Sequence, residues 1–406
     1  MGTRHVKRRQ RNGAGHGDGR GSPGRHDSLP GQVVLVLQGG GALGAYQAGV
    51  YEALHEAGIE PDWCIGTSIG AITAGLICGN APERRLERLR EFWSRVEQHG
   101  GDDVFRFFTG LANVPSNVAT IVQGIPAFFT PSPLAWLGVH APLGLDNAAY
   151  YTTSPLRDTL TELVDLDLLN TCSTRLTVGA VNVATGEMRY FDSREEAVLL
   201  DHVLASGALP PAFPAVRIDG QAYWDGGIFS NTPIEAVLDD NPRRDSVIFA
   251  VQIWDPTGPE PGSVWQVLGR MKDIQYASRA RSHLARQKQI HHLRHIIREL
   301  AGKLPDEVRR TPEVRELAAW GCGTTMHVAW LMAPKLDGED YLKDIDFTTH
   351  GIRARWQAGY EDTQRMLARA PWRQPVGPQD SILIHEDPRQ PMQIAEGIDG
   401  FAGQTK

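Results

Sequence analysis

Residues 63–71, WCIGTSIGA, read as a short apolar strand, a Gly-x-Ser-x-Gly turn around Ser68, and the start of a helix that continues over 71–77 (AITAGLI). This order is what a nucleophile elbow requires. The turn holds its serine in a sharp strand-to-helix bend, and small residues at Gly66 and Gly70 let the backbone fold back without side-chain clash. The Ser68 hydroxyl then stands at a helix N-terminus, whose free N–H groups favour developing negative charge. An isolated pentapeptide of this type also occurs in ordinary tight turns, so its context decides the reading.

That context begins upstream. Residues 32–38 (QVVLVLQ) form an apolar, β-branched run that predicts a buried strand. It ends in Gly39-Gly40-Gly41-Ala42-Leu43-Gly44, and a helical pattern follows through Tyr46, Val50 and Leu54. A glycine loop between strand and helix presents backbone N–H groups as a concave anion site. Gly39, Gly41 and Gly44 satisfy G-x-G-x-x-G, so a dinucleotide fold competes, with Glu60 or Asp62 as its ribose-binding acid. Both acids, however, precede the second strand rather than end it, and that strand runs into a serine elbow.

The third element is Tyr223-Trp224-Asp225-Gly226-Gly227. Residues 215–218 and 221–224 flank Asp219-Gly220, a hairpin signal. Asp225 therefore falls at a strand end, followed by two glycines and then Asn231 and Pro233. Taken singly, an Asp-Gly here is a turn aspartate.

Glycine loop, Gly-x-Ser-x-Gly and Asp-Gly-Gly, in that order over residues 33–238, resemble the patatin-like phospholipase family. Residues 205–214 (ASGALPPAFP) and Asn231-Thr232-Pro233 agree with that layout. The resemblance implies a three-layer α/β/α fold with a mainly parallel central sheet. It implies a catalytic pair, Ser68 as nucleophile and Asp225 as base, and an oxyanion hole framed by Gly39, Gly40 and Gly41. Gly44, Gly66, Gly70, Gly226 and Gly227 support these motifs. It implies no cofactor and no metal. The family often carries Arg or Lys where this chain has Leu43, which removes a charge and leaves the backbone donors. A serine hydroxyl needs a base within hydrogen-bond reach, and a solvated carboxylate is too weak a base near neutrality. Asp225 is therefore expected to be poorly solvated, which raises its pKa. Two other readings stand beside this one. A Ser-His-Asp esterase would draw on His327, His350 or His385, and a non-catalytic lipid or acyl binder would keep the fold without the chemistry.

Composition frames these expectations. The chain has 406 residues, 41% of them hydrophobic, and a net charge of −7, which does not suggest a nucleic-acid binder. Residues 1–30 carry seven basic side chains against two acidic ones and are rich in glycine, so they are expected to be a disordered basic tail. They lack the apolar core of a secretory signal, and no run of about eighteen apolar residues would span a membrane. Cys64, Cys78, Cys172 and Cys322 are scattered and read as free thiols of a reducing compartment. The expected setting is cytoplasmic, with peripheral contact to anionic membrane. The expected partner is a lipid or other acyl-ester substrate.

Within the catalytic region, 31–255, residues 104–145 form an apolar, proline-broken insertion. It includes Phe105, Phe107, Phe108, Ile125, Phe128, Phe129, Leu134, Trp136 and Leu137. It reads either as a packed subdomain covering the sheet or as a lid whose aromatics touch lipid. Strands are expected over 175–183, 188–192 and 246–254, and a helix over 198–207. Residues 256–373 read as a mostly helical extension, with a long basic helix over 263–300, a strand over 325–333 and a helix over 348–369. His283, His291, His292 and His295 of the basic helix read as a solvated face, since no cysteine or carboxylate cluster completes a metal site. Residues 374–406 read as a polar arm.

Overall fold

The computed structural model describes residues 29–98, 124–377 and 380–388. Residues 1–28 of the expected basic tail, and Phe105, Phe107 and Phe108 of the insertion, lie outside them. A nine-stranded sheet organises the rest. Its strands are β1 (Gln32–Leu37), β2 (Trp63–Gly66), β3 (Arg175–Asn182), β4 (Met188–Asp192), β5 (Val216–Ile218), β6 (Gln221–Asp225), β7 (Ser246–Gln252), β8 (Met326–Met332) and β9 (Ile382–Glu386). Six of them run parallel in the order β9-β8-β7-β1-β2-β3. β4 and β6 pair antiparallel with β3, and β5 pairs antiparallel with β6 across the Asp219-Gly220 turn.

The central strands are continuous apolar runs because helices cover both their faces. Along β1 the side chains alternate. Val33, Leu35 and Leu37 enter one core with α1 (Ala45–Glu56), α2 (Ile69–Cys78) and α3 (Pro82–Val96). Val34 and Val36 enter a second core with Ile248, Val328 and Trp330. That second core also takes Ala280 and Leu284 of the long helix α4 (Val264–Lys303). Each fully buried Val or Leu contributes about 1.5–3 kcal/mol of transfer free energy. The result is the expected three-layer α/β/α arrangement.

The C-terminal region closes the first of these cores. Its last helix, α5 (Thr349–Arg369), places Ile352 and Met366 there. It lies so close on α1 that a Cβ on Gly49 would sit 1.9 Å from the Trp356 carbonyl oxygen, and one on Gly359 2.0 Å from that of Tyr46. The region after residue 256 is largely helical, as expected, and it also extends the central sheet through β8 and β9. β9 falls inside the stretch expected to be a polar arm. Only a short apolar run, Ile382-Leu383-Ile384, marks it, because an edge strand is covered on one side only.

The histidines of α4 also depart from expectation. His291 and His295 are buried rather than solvated. Each donates its Nε2–H to a backbone carbonyl at 2.9 Å, of Leu238 and Thr324 respectively. Burial lowers the pKa of His291 and keeps it neutral. His292 is exposed and His283 lies 3.6 Å from Glu235.

Candidate active site

The glycine loop follows the C-terminal end of β1 and Ser68 follows that of β2. The connection leaving β1 runs to β2 on one side and the connection leaving β7 runs to β8 on the other, so the glycine loop borders a topological switch point between β1 and β7, where open α/β sheets bind ligands, and Ser68 stands one strand away. Ser68 has φ 56° and ψ −124° and caps α2. A non-glycine residue in this region stores about 1–3 kcal/mol of strain, and the neighbouring backbone over-determines it. A Cβ on Gly66 would meet the Gly70 carbonyl oxygen at 2.3 Å, and one on Gly70 would meet that of Leu37 at 2.3 Å. Gly70 donates its N–H to Thr67 at 2.9 Å, and Thr67 donates to Leu37 at 3.2 Å. The Ser68 N–H is shared between the carbonyl oxygen of Ser206 at 3.1 Å and its hydroxyl at 3.0 Å. That hydroxyl in turn donates to Gly179 at 2.7 Å.

Asp225 ends β6 opposite Ala180 of β3, so the antiparallel return delivers it to the same end of the sheet. Its N–H donates to Ala208 at 3.0 Å, within the 205–214 segment. The following turn is tight: a Cβ on Gly226 would sit 2.4 Å from the Gly179 carbonyl oxygen. The carboxylate is 2% exposed and accepts the Gly227 N–H at 2.7 Å. Burial pushes its pKa up to about 7, against the lowering effects of the Gly227 N–H and of a hydrogen bond from the Ser68 hydroxyl. Ser68 and Asp225 line the same cavity. The carboxylate is a far better base at neutrality than a solvated aspartate.

The three loop glycines differ in role. Gly39 N–H is already bound to the Asn231 carbonyl at 3.1 Å. Gly40 and Gly41 N–H have no acceptor among the described residues, and both residues face the cavity that holds Ser68. Gly41 needs its lack of a side chain: φ is +56° and a Cβ would lie 2.2 Å from the Asp344 carbonyl oxygen. Gly44 packs on Ile69, which a Cβ would approach to 2.5 Å. Leu43 is 3% exposed and buried in the core, and it does not line the cavity.

A buried amide, Gln38, fixes the loop from behind. Its Oε1 accepts the N–H groups of Ile253 at 2.6 Å and Trp254 at 3.0 Å. Its Nε2 donates to Thr232 Oγ1 at 2.8 Å and the Tyr276 carbonyl at 3.2 Å. Sequence reasoning missed Gln38, Ser206, Trp254 and Tyr276. Gln38 left one signal, a polar residue closing an otherwise apolar strand just before the glycines.

Ser68, Asp225 and the loop open into a cavity of about 190 Å³. One wall is aromatic: Phe128 and Phe129 from the insertion, with Tyr151, Phe213 and Phe347. Phe129 meets Tyr151 at 4.9 Å and Phe213 at 5.4 Å between ring centroids. The described part of the insertion therefore does two things. Ile125, Phe128 and Phe129 pack inward, whereas Trp136, Leu137 and Val139 are 89%, 65% and 78% exposed.

Among the described residues no histidine lines this cavity. His327 and His385 stack on each other across β8 and β9, with Nδ1 and Nε2 2.9 Å apart. His350 stands at the start of α5. The acids of the dinucleotide reading sit at the opposite end of β2 from the glycine loop. Asp62 accepts the Val33 N–H at 2.8 Å, and Glu60 binds Arg85 at 2.6 Å.

The model of the patatin-like phospholipase family matches residues 35–238. The chain belongs to that family. A second model, described as patatin phospholipase, matches residues 274–379. A cGAMP-activated phospholipase of Pseudomonas aeruginosa is 28% identical over 218 residues, 50% of this chain and 55% of that protein. The triacylglycerol lipase ptl3 of Schizosaccharomyces pombe is 34% identical over 100 residues, 25% of this chain and 18% of that one. Lysophospholipase nte1 of Emericella nidulans is 55% identical over 49 residues, 12% of this chain and 3% of that one. This chain thus spans about half of the first relative and far less of the other two. Among solved structures, VipD from Legionella pneumophila has a TM-score of 0.38 at 15% identity, over 84% of this chain and 67% of its own.

Proposed function

We propose that this patatin-like protein is a serine acyl-ester hydrolase acting on lipid esters, with phospholipids and lysophospholipids as the substrate class. The observation that carries the reading is the Asp225 carboxylate. It is buried, raised to a pKa of about 7, and lines the same cavity as Ser68, which a strained elbow holds. Ser68 Oγ attacks the ester carbonyl carbon and its proton passes to Asp225. The carbonyl π pair moves onto oxygen, and the N–H groups of Gly40 and Gly41 receive that charge. Collapse expels the alcohol, which takes the proton from Asp225 and leaves an acyl group on Ser68. Water, deprotonated by the same carboxylate, attacks this acyl-enzyme. The second collapse releases the fatty acid and returns the proton to Ser68 Oγ. Losing one oxyanion donor typically costs about 3 kcal/mol in such reactions.

The names of relatives support lipid esters as the class. So does the aromatic wall, which suits an acyl chain. Among the described residues no helix is long and apolar enough to cross a membrane. Contact with a lipid aggregate is assigned to the exposed tip of Trp136, Leu137 and Val139, which shares its segment with the cavity wall. Residues 124–145 contain no Lys, Arg, Asp or Glu, so this contact rests on apolar insertion rather than on attraction to anionic headgroups.

Fatty-acid release from phosphatidylcholine vesicles and hydrolysis of a short soluble ester, with wild type, Ser68→Ala and Trp136→Ser, test both claims. Ser68→Ala loses both activities. Trp136→Ser loses vesicle hydrolysis severalfold and keeps the soluble reaction. Wild-type protein inert on both substrates would refute the hydrolase, and equal vesicle rates in Trp136→Ser would refute the docking tip.

A further inference from the structure

We infer that Trp254 and Asn231 are positioning residues that aim the oxyanion donor by clamping a single peptide group, the one joining Gly39 to Gly40. The inference rests on the Ser68–Asp225 reading and deepens it.

The Gly39 carbonyl oxygen receives two hydrogen bonds, one from the Trp254 indole Nε1–H at 2.8 Å and one from Asn231 Nδ2–H at 3.0 Å. Both lone pairs of that oxygen are therefore engaged. A trans peptide is planar, with its C=O and the next N–H pointing opposite ways. Holding the Gly39 oxygen on the side of Trp254 and Asn231 directs the Gly40 N–H to the other side. That N–H has no acceptor among the described residues, and Gly40 borders the cavity with Ser68. A glycine-rich loop has no side chains of its own to fix the rotation of this peptide. An unheld loop could turn the plane and lose the donor.

The clamp is itself anchored. Trp254 is 1% exposed, and its own N–H is bound to the Gln38 side chain at 3.0 Å. Its ring lies against Tyr276, 5.0 Å between centroids. Asn231 makes a second hydrogen bond to the Tyr276 carbonyl at 3.3 Å, and its own carbonyl takes the Gly39 N–H at 3.1 Å. Space is matched to this arrangement. A Cβ on Gly39 would lie 2.4 Å from Asn231 Oδ1, and one on Gly40 2.6 Å from Trp254 Nε1. The two clamp residues therefore require glycine at the two positions they hold, and they hold the peptide that those glycines leave free to turn.

The test compares the full chain with Trp254→Phe, which keeps a ring and removes the donor, and with Asn231→Ala. Each is assayed on p-nitrophenyl butyrate and for inhibition by an alkyl trifluoromethyl ketone. Addition of Ser68 Oγ to that ketone sends the proton to Asp225 and places a negative oxygen where the ester oxyanion would form. Each variant should lower kcat about tenfold, short of the roughly hundredfold expected when an oxyanion donor is lost outright. KM should stay close to wild type and ketone affinity should fall by the same factor as kcat. A rise in KM with kcat and ketone affinity intact would overturn the clamp, since it would mark a plain pocket-wall role. Hydrolysis that survives Ser68→Ala would overturn the Ser–Asp reading and the clamp with it. If either variant fails to fold, wild type serves. On ketone addition the Gly40 amide proton should move downfield in the NMR spectrum while that of Gly39 stays. An unmoved Gly40 proton would overturn the proposal.

Discussion

Ser206 holds the backbone N–H of Ser68 with both of its oxygens, the carbonyl at 3.1 Å and the hydroxyl at 3.0 Å. The same hydroxyl donates to Gly179 at 2.7 Å and so ties the elbow to β3. Ser206→Ala leaves the carbonyl acceptor in place but strips Gly179 of a buried donor. Destabilisation of about 1–2 kcal/mol is expected, the scale of one buried hydrogen bond, with a severalfold loss of kcat. Urea denaturation and steady-state hydrolysis check both. Unchanged stability would mean that this hydroxyl does not brace the turn.

In the proposed mechanism Asp225 sets the pH dependence of the reaction. It acts as a base only when ionised, and burial has raised its pKa to about 7. kcat/KM on a soluble ester should therefore fall about tenfold per pH unit below pH 7 and level off above it. A rate that holds steady down to pH 5 would exclude Asp225 as the base.

The same burial has a stability consequence of opposite sense. The folded chain binds the Asp225 proton more tightly than the unfolded chain does. The stability linked to this group is thus fully present below the pKa of an unfolded aspartate, and it is lost as pH rises through about 7. Asp225→Asn removes the charge. The variant should match wild type in stability near pH 4 and exceed it by roughly 2–4 kcal/mol above pH 7, while losing hydrolysis. Thermal unfolding across that range reads the difference, and a wild type more stable than the variant at pH 8 would contradict it.

The C-terminal region is expected to be part of the core rather than an appendage. A Cβ on Gly359 of α5 would lie 2.0 Å from the Tyr46 carbonyl oxygen of α1. Gly359→Ala must push the two helices apart, which costs about 1–3 kcal/mol by analogy with overpacked cores. An unaltered urea midpoint would show that α5 does not press on α1.

The parts of the fold legible in the sequence were those written in local pattern. The apolar runs of β1, β3 and β7, the Asp219-Gly220 hairpin and the long helix α4 follow from period and turn chemistry. The elbow at Ser68, the tight turn after Asp225 and the glycine loop were legible as backbone features, because such bends demand glycine at fixed spacing. The hydrogen bonds that hold the Gly39 carbonyl were not legible. Trp254 lies 215 residues from Gly39 in sequence, and nothing local distinguishes its indole from any other buried tryptophan. β9 was obscured because an edge strand needs only three apolar residues. His291 and His295 looked like solvated members of a basic helix, because their carbonyl partners, Leu238 and Thr324, come from segments 53 and 29 residues away.

Labelling the folded chain with a lipid-like fluorophosphonate, followed by mass spectrometry of the modified peptide, tests the central claim most directly. The account predicts one adduct, on Ser68, lost in Ser68→Ala and lost or greatly slowed in folded Asp225→Asn at pH 8. Full-rate labelling of Asp225→Asn, or an adduct on any other residue, would contradict it.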